Sequence, residues 1–261
     1  MGDSQRRSEE AVGKGWVLLL GDAMEDIYYH GWPQDLSAEA PIVRTLIHTI
    51  KRYPGGAANV EKLLVDSGVD VVTYFGKGCP QKCRVIAEGV QVARFDLNDN
   101  CEPIVLPPNV NLDGCKAVIV SDYHKGSINQ DILGFLEDVS KDLPIYVDTK
   151  RRLDIYPSRS IFFPNDKEYH QFGYDTIAID QVVHKHGHSG LHYNGKWSMY
   201  LAERVESVVG AGDVVLTAFV YAMLGGRNYA QCADFACYAG TRKVECPRTE
   251  APPLKEMFEQ W

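Results

Sequence analysis

Four consecutive residues, Gly210, Ala211, Gly212 and Asp213, directly precede the apolar run 214–224. Their small side chains allow a tight backbone turn at the point where a helix begins. The first N–H groups of a helix have no partner inside it and its dipole is positive there, so this turn suits an anion such as a phosphate. Asp213 would lie beside that anion, where its carboxylate could accept a proton from an attacking hydroxyl. The alternative is an ordinary glycine-rich turn with Asp213 as the helix cap.

Polar residues also follow four short apolar segments elsewhere in the chain. Asp22 follows WVLLLG, Asp122 follows AVIVS, Asp148 follows PIYV, and Asn165 follows IFFP. Buried parallel strands are apolar on both faces, and the ligands of such sheets bind beyond the carboxyl ends of the strands. We therefore expect these four side chains to converge on one site along one edge of a sheet.

The elements that must position these residues alternate along the chain between short apolar segments and longer segments of helical periodicity. The predicted strands are 16–21, 70–75, 116–121, 144–148, 160–163 and 177–184. The predicted helices are 56–67, 129–140, 212–224 and 229–243. This alternation is typical of an α/β fold, and it predicts a three-layer α/β/α sandwich around a mainly parallel sheet.

Two segments, 27–53 and 82–97, do not fit this alternation. Polar and apolar side chains alternate in both, which is typical of antiparallel strands with one face open. They could form a small separate sheet, or they could extend one edge of the main sheet. We favour the separate sheet, because segment 27–53 interrupts the first connection from a strand to a helix.

Composition indicates one globular domain. The chain has 261 residues, 45% of them hydrophobic, which is enough for one full core over residues 15–261. The net charge of −8 gives no basic surface for nucleic acid, and no apolar run suits a membrane span or a signal peptide. Residues 1–14 are polar and charged, which predicts a flexible tail. Seven cysteines without a C-x-x-C pair favour free thiols in a reducing cytoplasm.

Taken together, the motifs resemble those of a known family. GDAMED, RYPGGAANV, VSDYHKG, FFPNDKE and GAGD occur in that order within residues 16–250. The set resembles the ribokinase/phosphofructokinase-B superfamily of carbohydrate kinases, and most of all its heptose-7-phosphate kinase domains. The resemblance implies a ribokinase-like fold, with segments 27–53 and 82–97 as a small β lid that covers the sugar and often pairs with a second subunit.

The resemblance also implies roles for single residues. Asp213 would be the catalytic base, and the amides of Gly210, Ala211 and Gly212 would stabilise the transferred phosphoryl group. The residues implied in substrate binding are Asp22, Asp26, Gly55, Gly56, Asn59, Asp122 and Lys150. Two of these assignments have a structural alternative, since the two glycines could form only a turn before a helix and the lysine could belong to a solvated basic run.

For the nucleotide, the resemblance implies ATP together with Mg²⁺. Asn165 and Glu168 match the NxxE motif of the family, and Glu168 would reach the Mg²⁺ ion through water. An exposed helix N-terminus is the alternative for this pair. Lys185, Gly187 and Gly190 fall where the family has a nucleotide-binding turn, with Lys185 in place of a threonine.

The same turn carries a group of histidines. His184, His186 and His188 alternate, so on a strand their side chains would share one face, and His192 follows closely. Imidazole binds Zn, Ni and Cu, so a transition-metal site is one interpretation, and a purely structural turn is another. We favour the nucleotide-binding turn because its two glycines match the family, and we expect the histidines to hold no metal tightly.

The chain departs from the family pattern around Gly210. Where the family has DTGAGDT, this chain has Ser207, Val209 and Val214, and the missing aspartate puts a monovalent-cation site in doubt. The chain is also shorter than the family norm after Gly76 and after Glu168. These departures favour a binding protein, whereas the intact Asp213 favours an enzyme.

The sequence therefore predicts an ATP-dependent sugar or sugar-phosphate kinase of the cytoplasm. The leading substrate is D-glycero-D-manno-heptose 7-phosphate, phosphorylated at O1. A non-catalytic sugar- or nucleotide-binding pseudokinase and a nucleoside or ribose kinase are the alternatives. The expected partners are small molecules, with neither nucleic acid nor membrane. Apolar side chains in segments 40–50 and 83–95 have little in this chain to cover them, so we expect a homodimer formed through the lid.

Overall fold

The computed structural model describes residues 15–172 and 177–261. Its strands are β1 (Trp16–Gly21), β2 (Ala23–Leu36), β3 (Val43–Gly56), β4 (Asp70–Phe75), β5 (Gln81–Ala87), β6 (Val90–Leu97), β7 (Cys115–Asp122), β8 (Ile145–Thr149), β9 (Ile161–Phe162), β10 (Val183–Lys185), β11 (Leu191–Tyr193) and β12 (Lys196–Ser198). Its helices are α1 (Ala57–Asp66), α2 (Gln130–Val139), α3 (Asp166–Phe172), α4 (Ala211–Leu224), α5 (Tyr229–Val244) and α6 (Leu254–Gln260). Within these residues, no helix combines the length and the apolar character needed to cross a membrane.

The central sheet has five strands in the order β4-β1-β7-β8-β9, and every pairing in it is parallel. Parallel neighbours need crossover connections, and α1 and α2 lie in two of them. Isolated bridges pair Phe162 with Val182 and Asn165 with Lys185 in parallel, so β10 runs alongside the end of this sheet. The predicted α/β/α sandwich around a mainly parallel sheet is confirmed.

The side chains of the central strands alternate between two apolar clusters, one on each face of the sheet. Val17 and Leu19 pack with residues of α1, α4 and α5. Leu18 and Leu20 pack with residues of α2 on the other face. Helix α4 is buried along its whole length from Asp213 to Ala222, which explains why its sequence is apolar on every side.

Segments 27–53 and 82–97 contribute to a separate four-stranded sheet in the order β3-β2-β5-β6, which we call the lid sheet. β2 pairs with β3, and β5 with β6, in the predicted antiparallel manner. The antiparallel prediction is wrong for β2 and β5, which pair in parallel. The reason is that β2 continues directly from β1 and β5 follows β4 closely, and β1 and β4 are themselves parallel.

The predicted helices are observed as α1, α2, α4 and α5, whereas the short α3 and α6 were not predicted. The strand predicted over 177–184 is wrong in its first half, where the 3-10 turn Ile179–Gln181 precedes β10. The predicted tail, residues 1–14, lies outside the described residues. All seven cysteines lie within the described residues, and each is a free thiol.

Candidate active site

The turn before α4 has the backbone geometry of an anion-binding site. Gly210 caps the helix in the left-handed conformation, with φ 80° and ψ 0°, which glycine adopts without strain. A side chain at this position would come within 3.1 Å of Asn59 Nδ2. The helical hydrogen bonds begin with Val214 N donating to Gly210 O at 3.1 Å, and Ala211 N donates to Val208 O at 3.3 Å, so the amides of Gly212 and Asp213 precede the helical ladder.

Asp213 lies in the first turn of α4 and is only 4% exposed. Asn59 Nδ2 donates to one carboxylate oxygen and the Tyr123 hydroxyl donates to the other, each at 2.8 Å. Burial raises the pKa of Asp213 above the usual carboxyl value, and these two hydrogen bonds oppose that rise. Asn59 comes from α1 and Tyr123 from the loop after β7. Sequence analysis assigned Asn59 to the sugar and gave Tyr123 no role, because their contact with Asp213 depends on tertiary packing.

Two charged side chains lie close to Gly212, and a third is paired with one of them. A side chain on this glycine would come within 3.4 Å of Lys185 Nζ and 3.7 Å of Asp148 Oδ2. Asp148 accepts hydrogen bonds from Lys185 at 2.7 Å and from Lys150 at 3.4 Å. Burial would raise the pKa of Asp148, but the two ammonium groups hold it below its usual value. The two lysines place positive charge beside the 210–213 turn, which suits a polyanionic ligand.

Asn165 and Glu168 form a reciprocal cap at the start of α3. Glu168 N donates to Asn165 Oδ1 at 2.9 Å, and Asn165 N donates to Glu168 Oε2 at 3.0 Å, which is a capping box. The other oxygen, Glu168 Oε1, forms an ion pair with Lys150. Burial would lower the pKa of Lys150, but Asp148 and Glu168 raise it. Both oxygens of Glu168 therefore have partners, and this arrangement fits a Mg²⁺ ion only if water mediates the contact.

The lid sheet brings further charged groups toward the 210–213 turn. Asp26 is 4% exposed and pairs with Arg84 of the neighbouring strand. A side chain on Gly55 would meet Asp26 Oδ2 at 2.6 Å, so glycine leaves room for this carboxylate. Lys82 Nζ lies 4.5 Å from the centre of the Tyr123 ring, and burial lowers the pKa of Lys82. Sequence analysis gave no role to Lys82 or Arg84.

The carboxylate of Asp22 is held by the backbone of the protein, and its contact with a sugar stays a prediction. Its buried carboxylate accepts backbone hydrogen bonds from Tyr123 at 2.8 Å, Lys125 at 3.0 Å and Ser127 at 3.1 Å. It therefore fixes the loop that carries Tyr123. Gly56 packs against the backbone of Asp22. It has φ 56°, and a side chain there would lie 2.5 Å from the carbonyl oxygen of Asp22.

Asp122 also has partners within the protein, and its contact with a substrate stays a prediction. The Tyr156 hydroxyl donates to its carboxylate, and His124 N donates at 2.7 Å. Arg151 forms an ion pair with the same group at 3.5 Å. Burial raises the pKa of Asp122, while the hydrogen bond from Tyr156 opposes that rise.

The alternation of side chains along a strand distinguishes these two carboxylates from Asp148. Asp22 and Asp122 follow Leu20 and Val120 at a spacing of two residues, and Leu20 and Val120 pack with α2. Asp148 continues the face of Tyr146, which packs with α4. Asp213 begins α4 and so lies on that second face. The apolar residues before the strand ends thus divide between two faces, and the convergence of all four side chains on one site stays a prediction.

Residues 185–190 form a turn in which two glycines are left-handed. Gly187 has φ 55° and Gly190 has φ 96°. A side chain on Gly190 would lie 2.2 Å from Ser198 O of β12, whereas one on Gly187 would meet nothing within 4 Å. Any side chain at position 190 would therefore clash with the backbone of β12, so glycine is required there. A contact between this turn and a nucleotide stays a prediction.

His184 and His186 meet Asp166 at the start of α3. Asp166 Oδ1 lies 3.0 Å from His184 Nε2 and 2.8 Å from His186 Nδ1. Burial, together with the neighbouring His186, lowers the pKa of His184 to about 4, although Asp166 opposes the shift. Sequence analysis placed the two histidines on one face but missed Asp166, whose proximity depends on the bridge between Asn165 and Lys185.

A fully buried lysine supports the 210–213 turn from the side of α5. Lys243 Nζ donates to the carbonyl oxygens of Arg248 at 2.7 Å, Ser207 at 3.1 Å and Cys246 at 3.4 Å. Burial lowers the pKa of Lys243 to about 8. Ser207 precedes the turn, and the residue after Arg248 packs on Gly210. Sequence analysis missed Lys243, although helical spacing places it on the buried face of α5.

A cavity of about 310 Å³ opens on the lid sheet. His30 lines it together with its sheet neighbours Thr49 and Ile86. His30 follows Asp26 on the same face of β2, so the cavity opens on the face that carries Asp26. The charged and titratable residues that line the cavity are His30, His48, Lys51, Glu88 and Arg248. Burial lowers the pKa of His30, and the positive charges of Arg248 and Lys51 lower it further.

Comparison with known proteins gives sequence relatives at low identity. No protein-family model matches the chain. It is similar to the bifunctional protein HldE of Vibrio parahaemolyticus, with 24% identity over 281 residues, 84% of this chain and 58% of that protein. It is also similar to HldE of Pseudomonas savastanoi pv. phaseolicola, with 26% identity over 302 residues, 94% of this chain and 64% of that protein. The chain thus spans less than two thirds of the length of these relatives.

Solved structures resemble the fold over almost the whole chain. Ribokinase from Arabidopsis thaliana, complexed with ribose and ATP, aligns with a TM-score of 0.66 and 17% identity over 95% of this chain and 98% of its own. Phosphofructokinase-2 from Escherichia coli, in complex with potassium, aligns with a TM-score of 0.68 and 15% identity over 95% of this chain and 98% of its own. The chain has the ribokinase fold, and its resemblance to the carbohydrate kinases of this type is confirmed.

Proposed function

We propose that the chain is an ATP-dependent kinase of sugars or sugar phosphates, with D-glycero-D-manno-heptose 7-phosphate, phosphorylated at O1, as its leading substrate. The observation that carries the proposal is the buried carboxylate of Asp213 beside the turn at the N-terminus of α4. Transfer of a phosphoryl group to a hydroxyl requires a base next to a phosphate site. The ribokinase fold and the similarity to proteins named HldE support the same conclusion.

In the proposed reaction the acceptor hydroxyl attacks the terminal phosphorus of ATP, the bond to the leaving ADP breaks, and the hydroxyl proton passes to Asp213. Hydrogen bonds from Asn59 and Tyr123 orient this carboxylate. The amides of Gly212 and Asp213 stabilise the transferred group, and Lys150 and Lys185 offset its negative charge. A protein catalyses this reaction mainly by positioning the two reactants and by neutralising the charge of the transferred phosphoryl group.

A Mg²⁺ ion would supply further charge neutralisation on the nucleotide phosphates. Glu168 would hold it through water, since both oxygens of this carboxylate already have partners. Asp148 is also engaged, by Lys185 and Lys150. The nucleotide itself would therefore provide most of the direct ligands.

The cavity on the lid sheet favours an acceptor that carries its own phosphate. Asp26, Tyr28 and His30 follow one another on one face of β2, so a sugar bound at Asp26 could extend toward the cavity. The Arg248 guanidinium lies 5.7 Å from the centre of the Tyr28 ring and lines the cavity with Lys51. Glu250, 3.7 Å from Arg248, compensates part of this positive charge. A phosphate would compensate more of it, whereas an unphosphorylated sugar or nucleoside would not.

Arg248→Met should raise KM for heptose 7-phosphate by about 10–100-fold, because a hydrogen bond to a charged group contributes about 1.5–3 kcal/mol. KM for ATP should stay unchanged, as should the rate with unphosphorylated heptose. Initial-rate kinetics with both acceptors would measure this. Arg204→Met is the matched control, since Arg204 has a side chain that is 72% exposed. An equal loss with both acceptors would contradict a phosphate site at Arg248.

The proposed function itself is tested by ATP consumption over a panel of acceptors: heptose 7-phosphate, heptose, a hexose phosphate, ribose and a nucleoside. We expect kcat/KM to be highest with heptose 7-phosphate. The pseudokinase alternative is favoured by one observation, namely that both oxygens of Asp213 have hydrogen-bond donors within the protein. Nucleotide binding without turnover on any acceptor would support the pseudokinase and overturn the kinase.

We further propose a homodimer formed through the outer face of the lid sheet. The inner face carries charged side chains such as Asp26 and Lys82, which are direct neighbours in the sheet. The outer face carries Ile50, Phe95 and Leu97, with exposures of 53%, 42% and 43%. An exposed apolar sheet face of this kind usually marks an interface.

Ile50→Asp should convert the dimer to a monomer, because it places a charge on that apolar face. Light scattering at micromolar concentration should give a mass of twice 29.2 kDa for the wild type and the mass of one chain, 29.2 kDa, for the variant. Val105→Asp is the control, since Val105 is 84% exposed and lies outside the lid sheet. A wild-type mass near 29.2 kDa would contradict the proposed dimer.

A further inference from the structure

One cluster of metal-ligating side chains lies outside the machinery described above. It consists of Asp166, His184 and His186, which we call the triad, and its ligand atoms all lie within 4.8 Å of one another. Asp166 Oδ1 lies 3.0 Å from His184 Nε2 and 2.8 Å from His186 Nδ1. Ligands at adjacent positions around a metal with bonds of about 2.0–2.1 Å stand about 3 Å apart. Both distances from Asp166 therefore match the spacing of ligands around a single ion.

His184 carries a buried nitrogen that points into the triad without a hydrogen bond. Its side chain is 8% exposed, and Nε2 lies close to Asp166 Oδ1. Among the described residues, however, no group satisfies this nitrogen with hydrogen-bond geometry. The ring is held by a stack on Tyr169, with centroids 4.0 Å apart and planes within 5°. Buried polar atoms rarely lack a partner, so an ion at this place would satisfy an otherwise unpaired group.

We propose that the triad binds a first-row transition-metal ion, by preference Zn²⁺, with solvent completing the coordination. Two imidazoles and one carboxylate are a common zinc ligand set, whereas Mg²⁺ and Ca²⁺ prefer oxygen ligands throughout. The Asp166 side chain is 57% exposed, which leaves a path for the ion and room for water.

The ion joins two separate elements. Asp166 begins α3, while His184 and His186 lie on β10 and directly after it. Because residues 185–190 form the turn that leaves β10, the metal fixes that turn relative to α3. Sequence analysis expected no tight metal here, since it had two alternating histidines and no third ligand. The structure supplies Asp166 as the third ligand, and the proposal does not depend on kinase activity.

The test uses the full chain, purified without an affinity tag and freed of metal with EDTA. Zn²⁺ binding is measured by competition with a chromophoric chelator, and Co²⁺ is added separately for its visible spectrum. We expect one equivalent of Zn²⁺, a tetrahedral or five-coordinate Co²⁺ spectrum and a higher unfolding temperature with Zn²⁺. His186→Ala and Asp166→Asn should each weaken Zn²⁺ binding by at least about 100-fold, since even the loss of an outer-shell partner costs about 10–100-fold.

His188→Ala is the matched control, because His188 is exposed on the same turn and lies outside the triad. It should bind Zn²⁺ as the wild type does. Circular dichroism would verify that each variant is folded, and His186, with a side chain that is 21% exposed, is the safer of the two histidines to replace. Two results would overturn the proposal: no stoichiometric binding to the wild type, or binding that survives both triad variants.

Discussion

Replacement of Asp213 by asparagine should lower kcat by about 10²–10⁴-fold, the usual contribution of a general base. Asparagine has nearly the same shape and still offers an oxygen to Tyr123, but it cannot take the proton of the acceptor hydroxyl. The affinity for ATP should change little, because the side chain acts on the acceptor. Steady-state kinetics and direct nucleotide titration would separate the two effects.

Asp131→Asn serves as the control for this change, since Asp131 lies exposed in the first turn of α2. The pH profile gives a second readout. Burial raises the pKa of Asp213, so kcat/KM should fall with decreasing pH at values above those of an ordinary carboxyl group. The asparagine variant should lack this acidic limb. A kcat near the wild-type value in the asparagine variant would show that Asp213 is not the catalytic base.

Lys243→Met should lower the free energy of unfolding by about 3 kcal/mol or more. Methionine fills a similar volume but donates no hydrogen bond, so the carbonyl oxygens of Ser207, Cys246 and Arg248 lose their shared donor. Leaving a buried acceptor unsatisfied costs about 1–3 kcal/mol for each group. The removal of a buried charge offsets part of this loss.

Urea denaturation of the two proteins would measure this difference. Lys255→Met is the matched control, because Lys255 is exposed on α6 and should change stability by less than about 0.5 kcal/mol. We also expect Lys243→Met to lower kcat, since Ser207 and Arg248 flank the 210–213 turn. A variant as stable as the wild type would show that the three carbonyls find other partners.

The sequence by itself determined the fold class and the order of its elements. Apolar runs such as 116–121 are long enough for strands and too short for helices, and the run 214–224 has the length and uniform apolarity of a buried helix. These signals are local, because they depend only on neighbours within a few residues. The glycines of the 210–213 turn are a local signal as well, since their spacing fixes a backbone shape.

The lid sheet shows which features of the fold such local signals do not predict. Period-two alternation predicted strands in segments 27–53 and 82–97, and strands are observed there. The direction in which β2 and β5 pair was not contained in that alternation. It follows from the parallel pairing of β1 and β4, which is a property of the whole sheet.

The composition of the site was decided by tertiary structure. Tyr123 and Asn59 reach Asp213 from elements that are 90 and 154 residues away in the chain. Asp22 and Asp122 stand at strand ends as predicted, yet their carboxylates bind groups of the protein itself, Tyr123 N and Tyr156 Oη among them. A sequence motif locates the end of a strand. Only the packing of helices on each face of the sheet decides which side chains share a site.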